Sequence, residues 1–185
     1  PYFYNISDNK DLTFTPTFQS TGTNYLTTEF RLLNKNGIFN IETNINDNHD
    51  NLGTRHYAFA NAELESELDT FNIYMQTSNN DTYMRKEKIN NLTILKSGID
   101  FEREKDDTFF SFESVGYKHL TTQDRQWEYL YPSIKYNINN IKNEIFDGSL
   151  SLNNRLSFRK DLGENYHSLA SSQLDFTNQI INKSL

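Results

Sequence analysis

Along most of this chain apolar and polar residues alternate with a period of two, the spacing of strands that show one face to a water-free surrounding and the other to polar groups. In 37–46, Phe39, Ile41 and Ile45 oppose Asn40, Glu42 and Asn44; in 148–158, Leu150, Leu152, Leu156 and Phe158 oppose Ser149, Ser151, Asn153, Arg155 and Ser157. The pattern predicts about ten strands, at 11–19, 24–34, 37–46, 55–65, 69–77, 92–102, 108–117, 129–139, 148–158 and 166–177. Helical periodicity is nearly absent, and its nearest approach, Lys86 to Ile94, is short. The expected fold is therefore an all-β antiparallel meander.

The segments between strands are rich in Asn, Asp and Ser, whose side chains favour turns through local hydrogen bonds. They fall at 20–23, 35–36, 47–54, 66–68, 78–91, 103–107, 118–128, 140–147 and 159–165. From the second to the seventh they alternate short and long, and the last two are of middling length. Transmembrane barrels alternate in this way, with tight turns on one side of the membrane, long loops on the other and strands of about 9–11 residues. A soluble sandwich has no physical reason to gather its long loops at one end.

The first predicted strand carries an anomaly. Leu12, Phe14 and Phe18 alternate with Thr13, Thr15 and Thr17, yet Pro16 stands in its interior. Proline has no N–H to give a ladder partner, so it marks an edge, a bulge or a weakened seam.

Composition narrows the function. The 25 acidic and 18 basic residues of the 185 leave a net charge of −7, without the basic footprint of phosphate-backbone binding, so no nucleic-acid partner is expected. Mean hydropathy is strongly negative, but a barrel with a polar interior needs only alternate residues apolar. An aromatic content of 14% argues against a disordered chain. No run nears the roughly 18 apolar residues of a membrane-spanning helix, and no secretory signal stands at Pro1. The sequence reads as one region of something longer.

Candidate chemistry is sparse. The chain has no cysteine, and His49, His56, His119 and His167 form no metal-ligating pair at helical spacing. Isolated glycines build neither a phosphate loop nor a nucleophile elbow. Neither an enzyme nor a cofactor is expected. In ANAELESEL, Glu63, Glu65 and Glu67 share one face, a lumen-facing or solvated acidic row; the charges of IDFEREK, 99–105, gather at a strand end. Aromatics cluster near strand ends: Tyr2, Phe3 and Tyr4; Tyr57 and Phe59; Phe109 and Phe110; Trp127, Tyr129 and Tyr131. Such residues are expected to form a girdle at a membrane interface.

Several segments also carry a resemblance. The opening PYFYNISDNKDLTFTPTF joins a Pro-Tyr-aromatic start, a polar turn and a Thr-x-Thr-Pro strand. After it come the strand with Glu29, Phe30 and Arg31, the 55–59 segment, FNIYMQTSNNDTYMRKEKI at 71–89 with Asp81, Thr82 and Tyr83, and EYLYPSIKYN at 128–137. In this order the chain resembles the N-terminal part of the barrel of the LPS-assembly outer-membrane protein family (LptD, organic solvent tolerance protein). The resemblance implies a cell-outer-membrane location and a partial wall of a very large barrel. It implies lipopolysaccharide as cargo, received from a periplasmic Lpt bridge through an N-terminal jelly roll that this chain lacks. It also implies outer-membrane lipid around the wall and an LptE-type lipoprotein plug in the lumen. Pro1 and Pro16 match prolines that weaken a lateral gate between the first and last strands, which makes the strand with Thr13, Thr15 and Thr17 one lip of that gate. The chain departs from some relatives at Asp8, where they carry a further proline. Two other readings share the strand pattern: a small stand-alone outer-membrane barrel, closed by pairing 166–177 with the first strand, and a soluble ligand-binding β-sandwich.

Overall fold

The structure, a computed structural model, describes residues 1–19, 24–47, 53–121, 127–142, 146–160 and 165–180. Its elements in chain order are β1 (Tyr2–Ser7), β2 (Lys10–Phe18), β3 (Asn24–Asn34), β4 (Gly37–Asp47), β5 (Arg55–Glu65), β6 (Asp69–Ser78), α1 (Tyr83–Lys86), β7 (Ile94–Lys105), β8 (Thr108–His119), β9 (Trp127–Lys142), β10 (Phe146–Lys160) and β11 (Tyr166–Ile180). All eleven strands lie in one antiparallel sheet in sequence order, with β1 and β11 at its two edges. The sheet is open, and β11 does not pair with β1.

The predicted strands reappear with small changes at their ends, but an eleventh, β1, precedes them. Its pairing with β2 runs from Tyr2 opposite Phe14 to Ser7 opposite Lys10, with an irregularity at Ile6. The strand that carries Pro16 is therefore second in the sheet, a correction to its expected place as the first. With β1 included, the alternation of connection lengths extends from β1 to β11: intervals of two or three residues, at 8–9, 35–36, 66–68, 106–107 and 143–145, separate the strands at one end. The intervals at the other end, 19–23, 48–54, 79–93, 120–126 and 161–165, hold five to fifteen. Of these, 20–23, 48–52, 122–126, 143–145 and 161–164 lie outside the described residues, as does His49.

Register sorts the side chains onto two faces. Following partners across the ladder, Leu12, Phe30, Ile41, Ala60 and Met75 fall on one face. Ile99, Phe112, Ile134, Leu152 and Leu174 continue it. The opposite face carries Thr13, Glu29, Glu42, Phe59 and Gln76, then Asp100, Glu113, Ser133, Arg155 and Ser171. No second layer packs on the sheet among the described residues, since the tertiary contacts of the strands run between sheet neighbours; at one end Leu95 and Leu120, which share the face of Ile99 and Phe112, are buried against the 79–93 connection. Ile45, Ile73 and Leu174 are 55%, 43% and 66% exposed, whereas the buried Tyr57 and Asn44 lie on the polar face. The chain exposes 12971 Å², against roughly 9300 Å² for a compact monomer of this mass. A single layer, polar on its sheltered side and apolar on its bare side, accounts for that difference.

Candidate functional site

Pro16 sits opposite Leu26 of β3. The hydrogen-bonded positions of this ladder are set at its turn, where Leu33 N–H donates to the carbonyl of Asn9, its cross-strand partner, at 2.8 Å. In an antiparallel ladder such pairs alternate with unbonded ones. Asp11, Thr13, Thr15 and Thr17 therefore exchange backbone bonds with β3, whereas Pro16 turns its nitrogen the other way, toward the β1 side. On that side β1 reaches only Phe14 among the described residues. The proline costs the β2–β3 ladder nothing and denies a donor to any strand that would extend β1's pairing. Thr13, Thr15 and Thr17 stand half-buried on the polar face, with Thr15 opposite Thr27 and Thr17 opposite Tyr25. Pro1 is exposed beside β1.

The free edge belongs to β1, and its aromatics are bare: Tyr2, Phe3 and Tyr4 are all well exposed. For Tyr57 and Phe59 the girdle expectation is overturned. Both fall on the polar face, with ring centroids 4.8 Å apart, and Tyr57 donates a very short hydrogen bond to Glu42. Tyr129 and Tyr131 stack at 5.4 Å near the long-connection end, and the side chain of Trp127 lies outside the described ones. The polar face is hollow between β3 and β6, where Glu29, Arg31, Glu42, Asn61, Tyr74 and Gln76 border a cavity of about 500 Å³. Glu63 and Glu65 lie on this same face near the short-turn end, and Glu67 lies in the turn itself. The charged end of the 99–105 segment meets the 106–107 turn as expected, and Arg103 forks onto Asp69 at 2.7 and 3.1 Å.

Sequence reading missed the packed cluster at the long-connection end. There the 79–93 connection packs against the ends of β4, β5, β7 and β8 and forms α1, a single turn. Tyr83 and Met84 of this turn pack with Tyr57, Leu95 and Leu120, flanked by Phe59, Ile89 and Leu92. The Tyr83 hydroxyl donates a very short hydrogen bond to Asn44 Oδ1, and burial pushes its phenol up to about 12. Lys118 ties the same connection to the wall, pairing with Asp81 at 2.8 Å and donating to the Ser78 carbonyl at 3.1 Å. Beneath α1 the β6–β7 ladder stops at Tyr74 opposite Gly98. Beyond that point side chains replace it: Lys96 N–H donates to Gln76 Oε1 at 2.9 Å, and Gln76 N–H donates to Ser97 Oγ at 3.0 Å. The only local signal was the short apolar series Tyr83, Met84 and Ile89 in a polar connection.

Among the described residues no group of His, Asp and Glu could hold a metal ion, and His56 and His119 stand apart on β5 and β8. No protein-family model matches the chain, and no curated protein matches it.

Proposed function

We propose that the chain is part of the wall of a large outer-membrane β-barrel that inserts lipopolysaccharide into the outer leaflet through a lateral gate, as the resemblance to the LptD family implies. The observation that carries the barrel reading is the inversion of the two faces. A water-soluble sheet hides its apolar face under a second layer; this one leaves most of it bare from β2 to β11 and shelters polar groups on the other. In a bilayer that face meets acyl chains, and the polar face borders a lumen suited to a sugar head group. Segregation of connection lengths to the two ends supports the same reading, and the open sheet favours a large barrel over a small one closed by β11 on β1.

The gate reading rests on the resemblance and on the β1–β2 corner. A lipid with several acyl chains leaves a barrel sideways only where the ladder parts, and each unmade strand hydrogen bond lowers the cost by about 0.5–1.5 kcal/mol. Short β1, with its irregularity at Ile6, and Pro16 pointing its donorless nitrogen to the same side make that corner the cheapest to part. Lipopolysaccharide, an LptE-type plug and the periplasmic bridge are the partners of this reading. In the full-length protein, Pro16→Thr restores a donor on the β1 side and is expected to slow the arrival of lipopolysaccharide at the cell surface, measured by pulse-labelling. Unchanged arrival, with normal barrel folding, would contradict the gate.

A further inference from the structure

Asn46 of β4, Arg55 of β5 and Arg85 of α1 itself carry buried polar atoms that lack the partners such groups normally have. Asn46 is 0% exposed and neither side-chain polar atom makes a hydrogen bond of ordinary geometry, although the side chain lies close to the Tyr83 hydroxyl; Arg55 is 8% exposed with Nε unpartnered, and Arg85 Nε is also buried and unpartnered. Their neighbours do little to compensate. Arg55 approaches Glu87 only to 4.0 Å, and Arg85 reaches the Leu120 carbonyl at 3.4 Å. Each such group destabilises the closed state while it stays unsatisfied, a charged one more than a neutral one.

The cover that buries them is thin. One helical turn without a side-chain N-cap bond leads to Lys88, held at φ 57°, where a residue with a Cβ is strained. Its anchors are few: the Tyr83 bond to Asn44, the Lys118 pair with Asp81 and the small apolar cluster. The ladder under it is already parted between β6 and β7. Closing this segment strands cationic donors, and lifting it uncovers Arg55 and Asn46 on the sheet and Arg85 on the segment itself.

We propose that the 79–93 connection is a lid, and that Arg85 on the lid, together with Asn46 and Arg55 on the sheet facing it, forms a site for a phosphorylated sugar. The guanidinium groups supply paired N–H donors to phosphate oxygens, and the Asn46 amide supplies a donor and an acceptor for a sugar hydroxyl. The choice of a sugar phosphate rests on the lipopolysaccharide reading; the lid and its cationic site do not.

The test uses the full-length protein in proteoliposomes. Asn46→Cys serves as a reporter for a maleimide and, in the closed lid, is expected to label slowly. Adding Tyr83→Phe, which removes the bond to Asn44, speeds labelling at least fivefold. Lys118→Met, which removes the second anchor, does the same by an independent route. Labelling that is equally fast with all anchors intact overturns the lid. Without the reporter, glucosamine 6-phosphate binding by equilibrium dialysis is expected to rise at least threefold with Tyr83→Phe and to fall to background with Arg85→Gln, while Arg85→Lys retains part of it. Binding unchanged by Arg85→Gln overturns the site, and inorganic phosphate bound as tightly as the sugar phosphate overturns the sugar. Normal results in both assays, with lipopolysaccharide arrival unaffected by Pro16→Thr, would uphold the lid and sink the gate.

Discussion

Single residues decide where this sheet bends and pairs. Gly98 of β7 lies so close to its neighbours that an added Cβ would come within 2.5 Å of the Ser114 carbonyl and 3.0 Å of the Tyr74 hydroxyl. That hydroxyl donates to Asp100 at 3.1 Å, so the glycine lets an aromatic ring lie flat on the polar face and reach a carboxylate. Gly98→Ala is expected to destabilise the sheet by about 1–3 kcal/mol, since backbone has to shift to admit the methyl; urea unfolding in lipid measures it. Tyr83 links the packed 79–93 connection to alkali. Its phenol is raised by burial from an ordinary value near 10 to about 12, so the packed state keeps the proton that the released state gives up. Its contribution is complete below pH 10 and is lost as pH rises through 12. The part of the tyrosinate absorbance that Tyr83→Phe removes should therefore appear together with loss of protection in the 79–93 amides, and loss of protection well below pH 10 would contradict this.

Elements were legible wherever alternation ran unbroken. The strands at 24–34 and 55–65 begin and end where the pattern places them. By contrast, β1 was hidden because Tyr2, Phe3 and Tyr4 follow one another, which erases a period of two. Alternation also says which residues share a face without saying which face is sheltered, and for that reason Tyr57 and Phe59 read as girdle residues although they lie on the polar face. The α1 turn left almost no signal, because one turn has no period and its stability comes from tertiary contact. Side chains likewise hide the end of the β6–β7 ladder, where Gln76 and Ser97 stand in for backbone bonds. Replacing both by alanine removes three such bonds, worth about 0.5–1.5 kcal/mol each. Amide exchange at 94–97 should accelerate markedly while exchange in β3 and β4 stays unchanged; uniform exchange across β6 and β7 would mean that the ladder continues there.

At the scale of the whole molecule the account turns on one assignment, that the apolar face meets lipid. An eleven-stranded sheet with no second layer among the described residues supports it, and the proposed barrel, membrane and cargo all depend on it. A nitroxide scan of the full-length protein in lipid tests it most directly, with labels placed one at a time along β4 and β8. Positions 39, 41, 110 and 112 are expected to be accessible to oxygen dissolved in the bilayer, and 40, 42, 111 and 113 to a water-soluble relaxation agent, in strict alternation. Loss of alternation, or oxygen access at 40, 42, 111 and 113 instead, would contradict the account.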